Sequence, residues 1–402
     1  MANHSFNNIS MNWNYPTPIR FGAGRIRELA EACASLGMNR PLLITDRGLA
    51  NSEIVQRAVQ VCLDNQMPCA VFSEVQGNPI GDNVTAGVKA YRDGDHDGVI
   101  AFGGGSGLDA AKAIALMVGQ NRPLWDFEDK EDWYTRVNVK GMAPVVAVPT
   151  TSGTGSEVGR CSVITDLSDH TKKIIFHPNM LPGLVIADPE LTIGLPAHLT
   201  AAVGMDALSH NLEALCSPLY HPMGDGIALE GIKLVDQSLL GAYHTPTDLE
   251  SRSHMIVAST MGATAFQKGL GAMHSMSHPC GAVLNTHHGL TNAVVMPYVL
   301  MYNRKENEEK LTSLCRYLGL SNPSGERFLE WTLSLREQLK IPHTLADLGV
   351  SQEHISDLAS RALVDPTAPT NPRTLTQADL EKLFDAAIRG DLDAATCSSS
   401  KG

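Results

Sequence analysis

Along the first half of the chain, short and mostly apolar runs alternate with longer stretches of helical periodicity. The runs cover 17–21, 41–45 (PLLIT), 69–73, 98–102 (GVIAF), 144–149 (PVVAVP) and 183–187. Between them, 25–36, 54–65, 83–92 and 108–118 carry apolar residues at helical spacing, as with Ile26, Leu29, Ala30 and Cys33. Strands without polar alternation are covered on both faces, and single helices between them imply parallel pairing. The pattern predicts a doubly wound, Rossmann-like α/β domain. Residues 161–165 and 173–176 read as a hairpin pair around the polar DLSDH turn. From Leu195-Pro196 onward the texture is helical throughout: 196–216, 225–242, 248–267, 269–284, 290–304, 306–318, 324–339, 351–362 and 377–389. The predicted division is therefore 1–195, an α/β nucleotide-binding domain, and 196–402, an all-helical domain. Residues 1–15 and the SSSKG tail at 398–402 are expected to be loose.

Charge and composition change the picture mainly by exclusion. The formal net charge is −12 with no dense Lys/Arg run, which argues against nucleic acid and against anionic membrane surfaces. No apolar run approaches the roughly 20 residues that span a bilayer. The N-terminus lacks the basic and apolar regions of a signal peptide. The eight cysteines form no CxxC and sit mostly in apolar stretches, so they read as reduced thiols. A cytoplasmic setting follows from these readings.

Candidate chemistry gathers in the helical half. The stretch 269–289, GLGAMHSMSHPCGAVLNTHHG, holds His274, His278, His287 and His288. His274 and His278 share a helix face at i,i+4. Pro279 is expected to kink or end that helix, and Asn285 and Gly289 frame a turn that could return His287 or His288 to the same place. Imidazoles that converge suit a divalent metal; taken singly, each also suits a core position or a cap. In GMDALSHNLEAL, Asp206 and His210 are one turn apart, spaced either to grip one ion or to bond each other.

In the α/β half, ligands are expected beyond the carboxyl ends of the strands. Gly103-Gly104-Gly105-Ser106 follows the GVIAF strand and leads into a helix starting near Leu108. That geometry suits a pyrophosphate and equally a tight strand-to-helix turn. Asp109, expected in the first turn, would have to face aside from any phosphate, toward the sugar or the catalytic cleft. Asp46 at the end of PLLIT is placed to accept from a ribose 2′-hydroxyl, favouring NAD over NADP, or to cap the Arg47-Gly48 turn. TTSGTGSE, 150–157, offers hydroxyls and glycines at the next strand end. A site in a cleft between the two domains is expected.

The motifs GGGSGLDAAK (103–112), VPTTSGTGSE (148–157), GMDALSH (204–210) and the 269–289 stretch occur together in this order. On them the sequence resembles the iron-containing (group III) alcohol dehydrogenases over about residues 15–390, an architecture shared with dehydroquinate synthase. The resemblance implies that Asp206, His210, His274 and His288 bind one divalent metal, usually Fe²⁺, sometimes Zn²⁺ or another ion. It places His278 near the nicotinamide, outside the ligand set, as a proton relay. It places Gly104, Gly105 and Ser106 at the pyrophosphate and Asp46 at the ribose. Asn78, Thr150, Thr151, Thr154, Lys172 and Leu191 fall on cofactor-contact positions, and Asp109 joins His278 as a catalytic candidate. The implied reaction is reversible hydride transfer between a primary alcohol, or its aldehyde, and NAD, in a homodimer. The AFQKGLG run at 265–271 looks one residue shorter than in the family's small-diol reductases, so their substrates are not carried over. Lys268 there could meet an anionic substrate or be an exposed helix-end lysine. Competing readings are a polyol or hydroxy-acid dehydrogenase, a non-redox lyase on the same scaffold, and a helical scaffold with a structural metal.

Overall fold

The structure is a computed structural model that describes residues 10–13 and 17–396; the rest of the expected loose N-terminus and the SSSKG tail lie outside the described residues. The chain packs as two compact units. One comprises the residues up to Leu195 together with Thr247–Ile256; the other comprises Pro196–Pro246 and the chain from Val257 onward.

The first unit runs β1 (Ser10–Trp13), β2 (Ile19–Gly22), α1 (Leu29–Ser35), β3 (Pro41–Asp46), α2 (Glu53–Asp64), β4 (Ala70–Val75), α3 (Gly81–Asp93), β5 (Gly98–Gly103), α4 (Gly105–Met117), β6 (Val145–Pro149), β7 (Cys161–Asp166), β8 (Thr171–Phe176) and β9 (Leu184–Ala187). Seven strands form one sheet in the order β1-β2-β9-β6-β5-β3-β4. Every pairing is parallel except β1 on β2. β7 and β8 form the expected separate hairpin, with Thr165 opposite Lys172. The apolar runs are central: β5 and β6 are buried at every position, whereas β4, at the edge, exposes Val71. Leu43, Ile44, Ile100 and Phe102 are wholly buried, each worth on the order of 2 kcal/mol in transfer free energy before ordering costs. Two expectations shift. β1 occupies part of the polar N-terminal stretch. α4 begins at Gly105 rather than near Leu108, because glycines give no helical signal of their own, and this moves Asp109 out of the first turn.

The second unit contains α5 (Ala197–Cys216), α6 (Pro222–His244), the C-terminal part of α7 (Leu249–Ala265), α8 (Ala272–Leu284), α9 (His288–Tyr302), α10 (Arg304–Tyr317), α11 (Gly325–Gln338), α12 (Ile355–Leu363) and α13 (Gln377–Arg389). α5 is its axis: from Gly204 to Cys216 every residue is buried. Pro279, expected to kink or end the helix, does not end it. α8 continues to Leu284 and stops where Asn285 turns left-handed at φ 54°. The missing proline N–H costs the helix one hydrogen bond, and the buried Met273, Met276 and Cys280 anchor it on both sides of the gap.

Candidate active site

Three helices of the second unit bring four side chains to one point. Asp206 and His210 stand one turn apart on α5, His274 lies in the first turn of α8, and His288 opens α9. One ligand-type atom from each lies within 4.8 Å of all the others. Glycine makes the approach possible. A Cβ on Gly289 would sit 2.5 Å from the Ala202 carbonyl oxygen and 2.9 Å from Asp206 Cβ, so only glycine lets α9 bring His288 this close to α5. Gly262 does the same for α7 against His210, where a Cβ would stand 2.9 Å from the histidine Cβ. Asp206, His210 and His274 are buried, while His288 keeps 23% of its side chain exposed, leaving one open side.

The rings are oriented by groups behind them. Glu213, itself buried, accepts from His274 Nδ1 at 2.6 Å and from the Met273 N–H at 2.7 Å. That bond places the proton on Nδ1 and turns the Nε2 lone pair toward the cluster. Burial opposes a charge on His274, but the Glu213 hydrogen bond and the charges of Glu213, Asp206 and Asp365 outweigh it and raise its pKa above the ordinary histidine value. His288 has Nδ1 3.3 Å from Ser277 Oγ and Nε2 3.6 Å from Asp206 Oδ1, so its Nε2 also faces inward. His210 stacks on His274 at 4.7 Å.

The other sequence candidates fall elsewhere. His278 lies beside the cluster, stacked on His288 with ring centroids 5.3 Å apart. Its Nδ1 is 2.8 Å from Asp365 Oδ2, and Asp365 Oδ1 accepts from the N–H (2.9 Å) and Oγ1 (2.6 Å) of Thr367. Burial would push the Asp365 carboxyl up; the charge and hydrogen bond of His278, with the Thr367 bonds, hold it below the usual range. His287 accepts from the Leu290 N–H at 3.3 Å as the N-cap of α9, outside the four-residue cluster. Lys268 fits neither expectation. It is 2% exposed, ion-paired with Asp225, and bonded to the Leu215 carbonyl at the end of α5.

In the first unit, the glycine turn and the 150–157 loop are in contact. A Cβ on Gly105 would lie 2.5 Å from Thr154 Cγ2, and one on Gly104 3.1 Å from Thr151 Cγ2. The Thr150 N–H bonds Gly103 O at 2.9 Å. Gly103 itself has φ 144°, open to glycine alone. Ser106 lies in the first turn of α4, whose N–H groups lack intrahelical partners by construction. Asp46 serves its turn with one oxygen, accepting from Gly48 (2.8 Å) and Leu49 (3.2 Å) N–H groups at Oδ1, while Oδ2 lies 3.5 Å from the point a Gly103 Cβ would occupy. The capping reading and the ribose reading therefore use different atoms. Asp109 accepts from Ser156 Oγ (2.5 Å) and the Val163 N–H (3.0 Å), with Lys112 Nζ at 3.4 Å. These bonds brace the 150–157 loop and β7. Leu191 is buried in the hydrophobic core of the unit, Asn78 sits at φ 50° ahead of α3, and Lys172 is on β8.

The donor set fits a divalent first-row cation: three imidazoles and one carboxylate, with at least one ring locked as an Nε2 donor. Sequence reading missed Glu213 and Asp365. Glu213 carried a signal, since 206, 210 and 213 share one face of a helix; Asp365 carried none that was local.

The chain is similar to known proteins over both of its units. A sequence model described as iron-containing alcohol dehydrogenase matches residues 16–189, and one for the C-terminal part of the Fe-containing alcohol dehydrogenase family matches 200–388. The chain is 38% identical over 384 residues to the 4-hydroxybutyrate dehydrogenase of Cupriavidus necator, covering 93% of this chain and 99% of that one. It is 33% identical to alcohol dehydrogenase 4 of Saccharomyces cerevisiae over 367 residues, covering 90% and 95%. The crystal structure of a 1,3-propanediol oxidoreductase superposes with a TM-score of 0.88 at 32% identity, covering 94% and 99%.

Proposed function

The chain belongs to the iron-containing alcohol dehydrogenase family, and from that premise we propose that Asp206, His210, His274 and His288 hold its divalent cation while it interconverts primary alcohols and aldehydes. It is an NAD-dependent, metal-dependent oxidoreductase acting on CH–OH groups. When bound, the cation supplies Lewis acidity to the substrate oxygen and NAD supplies the hydride acceptor. The chain's own residues do the rest. Asp206 offsets part of the cation's charge, and Glu213 fixes the His274 tautomer. His278, bonded through Nδ1 to Asp365, presents Nε2 as the atom that takes the alcohol proton toward solvent or returns it. In the first unit, Gly104, Gly105 and Ser106 offer N–H groups to the pyrophosphate, and Asp46 Oδ2 accepts from the ribose. Thr150, Thr151, Thr154, Asn78 and Lys172 line the cofactor, with Leu191 supporting it from the core. Asp109 serves as a brace for that loop.

The observation that carries this reading is the single 4.8 Å cluster of one carboxylate and three imidazoles. Its test is a panel of alcohols with NAD⁺ and aldehydes with NADH on protein loaded anaerobically with Fe²⁺. Turnover at 340 nm on primary alcohols is expected; silence in both directions contradicts it. An ω-hydroxy acid substrate is the second reading, favoured by the similarity to a 4-hydroxybutyrate dehydrogenase. Lys268, held by Asp225, is not its carboxylate partner. Preference for 4-hydroxybutyrate over 1-butanol in the same panel decides between the two. A cytoplasmic homodimer completes the proposal. The described cysteines are all free thiols, and among the described residues β1 is the last strand at its end of the sheet, where a second copy could pair. No helix among the described residues is long and apolar enough to cross a membrane.

A further inference from the structure

Ser277 follows His274 by three positions on α8, so the two share a helix face. It is wholly buried. Its Oγ has two partners, the His274 carbonyl oxygen at 3.3 Å and His288 Nδ1 at 3.3 Å. A carbonyl oxygen can only accept, and a hydroxyl has one proton to give. With that proton on the carbonyl, Oγ keeps only lone pairs for His288. Nδ1 must then carry the ring proton, and the lone pair lies on Nε2, the atom 3.6 Å from Asp206 Oδ1.

The same helix holds a matched serine. Ser275 is buried as deeply, and its Oγ bonds the carbonyl three residues back, that of Ala272, also at 3.3 Å. Such a back-bond is the ordinary habit of a buried helical serine. Ser277 adds an imidazole to it; Ser275 has none among the described residues. The two supported rings also differ. Behind His274 stands a carboxylate at 2.6 Å, and behind His288 a neutral hydroxyl at longer range. His288 is the more exposed ring, 23% against 2% of the side chain. It has less packing to hold it, so its orientation depends more on what bonds it from behind.

We propose that Ser277 is a positioning residue for His288: by accepting from Nδ1 it fixes the tautomer and the ring plane in which Nε2 is offered to the cation. The proposal rests on the four-residue metal site, and the two fail separately. The experiment strips the protein of metal and titrates it with Zn²⁺ against a competing chelator, for wild type, Ser277→Ala, Ser275→Ala and His288→Ala. Thermal unfolding of each in chelator is the folding control. Ser277→Ala is expected to weaken binding roughly 10–100-fold, while Ser275→Ala binds as wild type. An unchanged constant in Ser277→Ala overturns the proposal. Equal weakening in both serine variants, the mark of a general loss of packing, overturns it too. His288→Ala losing binding upholds the site itself; His288→Ala binding as wild type overturns the site and the proposal together. Should Ser277→Ala fail to fold, nitrogen NMR of the histidine rings in the Zn²⁺-loaded wild type decides alone. A His288 ring protonated on Nδ1 is expected, and one protonated on Nε2 overturns the proposal.

Discussion

Glu213 shows how much a single side chain behind a proposed ligand can do. Its carboxylate meets His274 Nδ1 at 2.6 Å and leaves Nε2 as the donor. Glu213→Gln keeps the shape but lets the amide offer either a donor or an acceptor to the ring, so the tautomer is no longer fixed. Metal affinity is expected to fall about 10–100-fold, read by chelator competition, with the secondary structure unchanged by circular dichroism. His278 and Asp365 make a contrasting pair. His278→Ala and Asp365→Asn should both retain the metal and both lower kcat, by roughly 10²–10⁴-fold and somewhat less respectively. Loss of metal in His278→Ala would put that ring among the ligands instead. At Asp46, removal of the carboxylate by Asp46→Gly should raise the NADP-to-NAD ratio of kcat/KM, since a 2′-phosphate would no longer meet a negative charge. An unchanged ratio takes Asp46 off the ribose.

Among the elements, α9 sets the geometry because it brings His288 to the residues of α5 and α8. Its approach to α5 depends on Gly289. Gly289→Ala would force a methyl to 2.5 Å from the Ala202 carbonyl oxygen, so α9 must shift. A loss of roughly 1–3 kcal/mol in stability is expected from such overpacking, together with weakened metal binding; stability and metal affinity both at the wild-type level would show that the approach tolerates a side chain. Elements were also where sequence reading served best. PLLIT, GVIAF and PVVAVP are central strands because an all-apolar strand needs cover on both faces. The helices of the second unit follow their periodicity. The misplacement of α4 has a physical cause. α4 hid its first turn behind glycines, and of the two outcomes open at Pro279, a kink or an end, the helix does not end there, in keeping with the periodicity read over 269–284.

For the whole molecule, the order of motifs carried the family, while the side chains that orient the site were mostly out of sequence reach. Asp206 and His210, or His274 and His278, are neighbours on a helix and visible as pairs. Nothing local ties Asp365 to His278 across 87 positions, and spacing alone did not tell His287 from His288; the motif match named His288, and α9 turns it inward while His287 caps the helix at the surface. Lys268 read as surface because its partner, Asp225, lies 43 positions away. The central claim is that Asp206, His210, His274 and His288 hold one cation in common. Its most direct test is the metal content of anaerobically Fe²⁺-loaded, desalted protein by elemental analysis, for wild type beside His274→Ala and His288→Ala. The expected result is about one ion per wild-type chain and almost none in either variant, with turnover lost in step; full occupancy in either variant would contradict the shared site.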